Sequence, residues 1–127
     1  MIGWFEKKRS ASILMVILTT IEIFFFSTLS SAPSAGGSVW PARIYHFVIF
    51  FLFSFFLLVS IKRKNKLKVS HIILVLVVSI IHAVLDEIHQ TFVPFRDASF
   101  RDVLNDTLGS FLALAVYSYA SLKSNKK

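Results

Sequence analysis

The 127-residue chain contains no cysteine, so disulfide bonds, thiolate metal sites and cysteine nucleophiles are excluded. Any catalytic group must therefore be an oxygen or an imidazole nitrogen. Acidic residues are also few, seven against fourteen lysines and arginines, which gives a formal net charge of +7. Proline occurs three times, and each proline lies in a connection between apolar segments. The sequence has no repeat and no linker, so residues 1–127 are expected to form one domain.

Apolar residues make up 55% of the chain, which is too large a share for an ordinary soluble domain. A helix needs about 20 mostly apolar residues to cross roughly 30 Å of hydrocarbon. Four segments meet that requirement, at about 11–31, 44–61, 69–88 and 103–122. The sequence therefore predicts an all-α integral membrane protein, folded as a four-helix bundle.

The basic residues indicate how these helices are oriented, because lysine and arginine in short loops stay on the cytoplasmic side. Eleven of the fourteen lie before the first span, between the second and third, or after the fourth: Lys7, Lys8, Arg9, Lys62, Arg63, Lys64, Lys66, Lys68, Lys123, Lys126 and Lys127. Both termini of this multi-pass protein of the cell membrane are therefore expected to be cytoplasmic. The same distribution favours membrane lipids as partners over nucleic acid.

The first apolar segment is interpreted as a retained helix, because it is longer than the core of a cleaved signal peptide and carries Glu22. An ionised carboxylate at that depth needs a partner on another helix. Arg43, His46 and Arg96 can reach it, and a pair between Glu22 and an arginine is expected. His46 itself is either a structural hydrogen bonder or part of a site.

Polar residues also cluster where the third span ends. His82, Asp86, His89 and Gln90 share one helical face. A carboxylate there can orient an imidazole as a general base or proton shuttle, so His82, His89 and Asp86 are candidate catalytic residues. The same spacing could ligate a divalent metal, but no established motif accompanies it, and neither a metal nor a cofactor is predicted.

The fourth span opens with a polar stripe that ends in small residues: Asp102, Asn105, Asp106, Gly109 and Ala113. Small residues allow close approach of helices, and acids within a span must face protein. Asp102 follows Ser99 at capping-box spacing, so it is either a helix cap or a site residue. Asn105 and Asp106 lie deeper, which favours a polar network or a binding site.

Arg96 lies in the connection before this stripe. A guanidinium group suits phosphate, and the start of the fourth helix offers free backbone N–H groups, so phosphate recognition is one interpretation. The other is a local brace in which Arg96 pairs with Asp97 or Asp102.

These residues resemble, in order and spacing, the signature of VanZ-like membrane proteins. The resemblance rests on Asp86-Glu87-Ile88-His89-Gln90, on Phe92-Val93-Pro94-Phe95-Arg96, and on Asp102-Val103-Leu104-Asn105-Asp106-Thr107-Leu108-Gly109, with weaker similarity in Phe24 to Ser27 and Arg43 to Phe47. It implies that Glu87, Gln90 and Arg96 occupy family site positions, with Asp102, Asp106 and Gly109. The chain departs from the family where Asp106 replaces an asparagine and Phe95 replaces a glycine.

The resemblance implies a compact four-helix membrane protein from a family linked to low-level resistance to the glycopeptide teicoplanin. We expect an outward-facing polar site that binds an anionic lipid or a lipid-linked envelope precursor, built from Glu22, Arg43, His46, Glu87, Gln90, Arg96, Asp102, Asn105 and Asp106. Two alternatives stay open: an intramembrane hydrolase or transferase that uses histidine and carboxylates, and a proton-coupled conduit for small solutes. A homo-oligomer would widen such a conduit.

Overall fold

A computed structural model describes residues 2–29, 40–62, 66–94, 96 and 98–124. These residues form five helices: α1 (Ile2–Lys7), α2 (Arg9–Thr28), α3 (Trp40–Lys62), α4 (Val69–Gln90) and α5 (Phe100–Ser124). Lys8 alone separates α1 from α2. The described part of the chain has no strand, which confirms the all-α prediction.

Three helices are long and apolar enough to cross a membrane: Arg9–Thr28, Pro41–Lys62 and Val69–Gln90. They contain the second and third predicted spans and most of the first, since α2 ends at Thr28, Leu29 is extended, and residues 30 and 31 lie outside the described ranges. The fourth predicted span lies within α5, which is 25 residues long but interrupts its apolar residues with acids, serines and tyrosines. By composition α5 is therefore less apolar than the three helices that can cross a membrane. The four-span topology stays a prediction.

The helix α3 lies at the centre of the molecule, because it contacts each of the other four helices. α4 also contacts α2, α3 and α5, whereas α2 and α5 do not touch within the described ranges. Arg43 near the start of α3 meets Asp102 near the start of α5, and Ser27 near the end of α2 meets Asp86 near the end of α4. His46 in α3 also lies beside Asp86. Successive long helices therefore run in opposite directions.

Two apolar clusters fill the space between the helices. One consists of Ile23, Ile49, Phe50, Phe53 and Ala83, and the other of Leu58, Val59, Val75, Leu114 and Tyr117. Between them, the hydroxyl groups of Ser54 and Ser79 lie 2.8 Å apart and join α3 to α4. Burial of these side chains orients each helix about its own axis.

The outer faces of the helices are strongly apolar. Large exposed side chains run along α2, α4 and α5, among them Ile17, Ile21, Phe25, Ile73, Ile81, Leu85, Leu108 and Phe111. Monomeric soluble proteins rarely expose continuous apolar surface on this scale, whereas lipid chains cover it at no cost. The surface therefore agrees with the three membrane-spanning helices.

Gly109 sets the distance between α3 and α5. A Cβ atom at this position would clash with the backbone carbonyl oxygen of Phe47, so only glycine permits the observed approach. The sequence predicted this role from the small residues that follow the acids of α5. The close contact lies one residue from His46 and one helical turn from Asp106.

Candidate functional site

His46, Asp86 and Asp106 meet near one end of the molecule, one each from α3, α4 and α5. We call these three residues the buried triad. Nδ1 of His46 lies 3.5 Å from Oδ2 of Asp106 and 3.8 Å from Oδ2 of Asp86. Both aspartates are 0% exposed, and His46 is 7% exposed. The triad therefore gathers one imidazole and two carboxylates away from solvent.

Asp86 is held in place by two hydrogen bonds. Its Oδ2 atom accepts from Oγ of Ser27 and from Nε2 of Gln90, each at 2.9 Å. The Ser27 bond comes from α2, so all four long helices contribute to this end of the molecule. Gln90 was predicted as a site residue and lies one helical turn beyond Asp86.

Several buried atoms of the triad have no hydrogen-bond partner among the described residues. They are Oδ1 of Asp86, both side-chain oxygens of Asp106, and Nδ1 of His46. A separation of 3.5 Å from His46 to Asp106 exceeds the 2.7–3.2 Å that is typical of N–H···O hydrogen bonds. Unpaired buried polar groups cost free energy, and such groups concentrate where a site binds something.

Arg43 and Asp102 form a second layer closer to the ends of the helices. Nε of Arg43 donates to Oδ1 of Asp102 at 3.2 Å, and the two side chains are 33% and 32% exposed. Asn105 donates through Nδ2 to the backbone carbonyl oxygen of Arg43 at 2.9 Å. These contacts tie α3 to α5, and they show that Asp102 pairs with an arginine of another helix rather than serving α5 alone.

Glu87 belongs to the last turn of α4, and its side chain contacts the start of α5. Its Oε2 atom accepts the backbone N–H of Ser99 at 2.7 Å, one residue before the helix begins. A carboxylate at this position is favoured by the positive end of the helix dipole. One of the N–H groups that the sequence offered to a phosphate is therefore already occupied by this chain's own glutamate.

Among the described residues Arg96 forms no ion pair with Asp102, which pairs instead with Arg43. The other predicted partner, Asp97, lies outside the described residues, as does Phe95. Nε of Arg96 is buried and has no hydrogen-bond partner in the described part of the chain. Arg96 therefore keeps the capacity to bind an anion.

The expected pair between Glu22 and an arginine is corrected by the structure. Among the described residues, Glu22 forms no ion pair, whereas Arg43 pairs with Asp102 and His46 lies against the aspartates of the triad. The backbone carbonyl oxygen of Glu22 accepts from the Tyr45 hydroxyl at 3.4 Å. Sequence alone could not decide which carboxylate α5 would bring to Arg43.

The two histidines predicted as catalytic bases lie in an aromatic environment. The ring of His82 stacks on Phe24 at 5.3 Å and meets Phe53 edge-on at 4.8 Å, measured between ring centroids. His89 meets Phe24 edge-on at 5.6 Å. Asp86 faces His46 of α3 instead. The predicted arrangement, in which Asp86 orients a histidine of its own helix, is therefore not formed. The imidazole beside Asp86 comes from α3.

Sequence reasoning placed His46 and Asp106 in one polar site but assigned Asp86 to the histidines of its own helix, so it did not join all three members of the buried triad. The residues lie on three different helices, and no spacing rule connects such positions. Ser27 was not among the predicted site residues, although the Phe-x-x-Ser similarity from Phe24 to Ser27 was a signal that could have found it. Its hydroxyl supports Asp86 in the structure.

The site has two parts that favour ligands of opposite charge. The buried triad combines two carboxylates with one imidazole, so it suits a cation or a proton. The arginines Arg43 and Arg96 lie at the same end of the molecule and suit an anion. Buried acids beneath the arginines would repel a second negative charge and restrict an anion to the outer layer.

A family model described as VanZ/LLP1 matches residues 3–122 of the chain. The matched range contains the buried triad, both arginines and the close contact at Gly109. No curated protein and no solved structure matches the chain significantly.

Proposed function

Because the chain belongs to the VanZ-like family, we propose that it is a four-span protein of the cell membrane that binds the headgroup of an anionic lipid or lipid-linked envelope precursor. The observation that carries this proposal is the buried Nε atom of Arg96, which lacks a partner among the described residues. A phosphate group would satisfy that guanidinium through charge-assisted hydrogen bonds.

Arg43 supplies the second positive charge. Its side chain is one third exposed and is held by a single 3.2 Å bond to Asp102, so part of the guanidinium stays available to a ligand. Phe92 and Phe100 flank the segment and are 80% and 75% exposed. Apolar side chains beside an arginine match an amphiphile, whose acyl or polyprenyl chain would cover them while its phosphate meets the guanidinium.

The proposal includes the orientation expected from the charges. The arginine end would face outward, and both termini would be cytoplasmic, in agreement with exposed Lys66, Lys68 and Lys123 at the opposite end. The absence of cysteine makes a labelling test simple. In intact cells, an impermeant maleimide should label Ala98→Cys, and it should label Lys123→Cys only after permeabilisation. The reverse pattern would refute the orientation.

Native mass spectrometry of protein released in a gentle detergent tests lipid binding directly. Wild-type protein should retain an anionic lipid or polyprenyl species, and Arg96→Ala should lose most of it. Arg101→Ala is the matched control, because Arg101 is an exposed arginine in the first turn of α5. Equal lipid retention by all three proteins, or none in wild type, would overturn the proposal.

A link to glycopeptides would follow from the same site. A protein that binds a lipid-linked wall precursor changes the exposure of that precursor to teicoplanin, which is the resistance associated with the family. Expression in a sensitive host should raise the inhibitory concentration of teicoplanin, and Arg96→Ala should abolish the increase. An increase unaffected by Arg96→Ala would separate resistance from this site.

A further inference from the structure

We propose that the buried triad binds one divalent transition-metal ion, with Zn²⁺ and Mn²⁺ as the ions that its donors suit. Imidazole is a good ligand for zinc, and carboxylate oxygens suit both ions. His46, Asp86 and Asp106 provide one nitrogen and two oxygen donors from three helices. This is a different trio from the His82, Asp86 and His89 face for which a metal was considered from sequence.

The spacing of the donor atoms fits a single ion. Bonds of about 2.1 Å place the ligands of a tetrahedral ion about 3.4 Å apart. Nδ1 of His46 lies 3.5 Å and 3.8 Å from Oδ2 of Asp106 and Oδ2 of Asp86, and the donor atoms all lie within 4.8 Å of one another. The two separations from Nδ1 of His46 are therefore within a few tenths of an ångström of the spacing that one ion requires.

The hydrogen-bond state of the triad points to a ligand. Asp106 is 0% exposed, its Oδ2 atom is directed at His46, and neither of its oxygens accepts a hydrogen bond from the described residues. The contact between His46 and Asp106 at 3.5 Å is longer than the Ser27 and Gln90 bonds to Asp86, which are 2.9 Å. The triad instead leaves its donor atoms apart, at the spacing that an ion requires.

Charge supports the same conclusion. Two ionised carboxylates buried side by side repel each other, and one imidazolium can balance only one of them. A divalent cation balances both and leaves His46 neutral, which is the form in which an imidazole binds a metal. The net charge of the filled site is then zero, which is the least costly state in an apolar interior.

The surrounding residues position the ligands. Ser27 and Gln90 donate hydrogen bonds to Oδ2 of Asp86, the oxygen nearest His46, and so fix the orientation of this carboxylate, as hydrogen bonds to metal ligands commonly do. Gly109 lets α5 approach α3 at Phe47, which brings Asp106 within reach of His46. Because the protein supplies three donors, a fourth position stays available to water or to an oxygen of a ligand.

Metal content and titration of the purified full-length protein test the inference. After chelation and dialysis, wild-type protein should take up about one Zn²⁺ or Mn²⁺ per chain, measured by inductively coupled plasma mass spectrometry and by loss of the free Mn²⁺ signal in electron paramagnetic resonance. His46→Gln, Asp86→Asn and Asp106→Asn should each weaken binding at least tenfold. His82→Gln is the matched control, since His82 lies one helical turn from Asp86 but outside the triad.

Two results would overturn the inference: wild-type protein that binds neither ion, or triad variants that bind as wild type does. The first result does not depend on whether any variant folds. The metal proposal is independent of the lipid proposal, because the two are measured separately. Lipid retention by chelated wild-type protein reports on Arg96, and metal uptake by the Arg96→Ala variant reports on the triad.

Discussion

The carboxylate of Glu6 and the ammonium group of Lys62 lie 2.8 Å apart at the end of the molecule opposite the buried triad. The Tyr117 hydroxyl donates to the same glutamate oxygen. Lys62 is only 7% exposed, although lysine is seldom buried without a partner. This contact therefore fixes the short helix α1 against α3 and α5.

Loss of this carboxylate should destabilise the protein. We expect Glu6→Gln to lower the free energy of unfolding in detergent by about 2 kcal/mol, because it leaves Lys62 buried and unbalanced. As a control, replacing the exposed Lys68 with glutamine should change the free energy of unfolding by less than about 0.5 kcal/mol. The double variant Glu6→Met with Lys62→Met should recover most of the loss. A double variant no more stable than Glu6→Gln would contradict this account.

Alanine at position 109 should force α3 and α5 apart. On an exposed helix, glycine to alanine stabilises by about 1 kcal/mol, but here the new Cβ meets the Phe47 carbonyl oxygen. The clash should outweigh the gain in helix propensity and lower the free energy of unfolding by about 1–2 kcal/mol, measured by thermal unfolding. The control is Ala115→Gly on the exposed face of α5, which measures helix propensity without a clash. Increased stability of Gly109→Ala would show that the helices can separate freely.

The two serines between α3 and α4 should respond unequally to substitution. Ser79 donates its proton to the Val75 carbonyl oxygen at 2.8 Å, so Ser54 must be the donor in the contact between the two hydroxyls. Ser79→Ala removes the acceptor and leaves the Ser54 hydroxyl without this partner, which should lower the free energy of unfolding by about 1 kcal/mol. Ser54→Ala leaves Ser79 bonded and should cost about half as much. Equal losses would mean that the assigned proton direction is incorrect.

Glu87 should protect the first turn of α5. In Glu87→Ala, the Ser99 N–H loses its 2.7 Å partner, and hydrogen exchange of residues 99–103 should accelerate about fivefold or more. Glu87→Gln keeps an acceptor and should show a smaller increase. Ile88→Ala, at an exposed position on the same turn, serves as the control. Unchanged exchange in Glu87→Ala would exclude a capping role.

Much of the helical layout could be predicted from the sequence, because each helix carries its own pattern. The apolar segments at 11–31, 44–61 and 69–88 needed only length and composition, and the structure has helices over residues 11–28, 44–61 and 69–88. α5 was harder to interpret, since Asp106 and Tyr117 reduce its apolar character while packing against other helices. The function of those polar residues depends on neighbours that local pattern does not specify.

The candidate site was predicted residue by residue but not as an arrangement. Asp86 was assigned an imidazole from its own helix, where spacing rules apply, and its actual neighbour is His46 from α3. Glu22 was expected to pair with an arginine because an ionised carboxylate at its depth needs a partner on another helix, yet Arg43 pairs with Asp102. Partners across helices depend on how close the backbones approach, and one glycine decides that distance between α3 and α5.

The pairing of α3 with α5 has a consequence for biogenesis. These helices make the most extensive contact in the molecule, yet all of α4 lies between them in the chain. During synthesis α3 is therefore made before its main packing partner, and His46 lacks its contact with Asp106 until α5 has emerged. A nascent chain that stops before Asp106 lacks one of the three residues of the buried triad, so the triad can form only after this part of α5 has been synthesised.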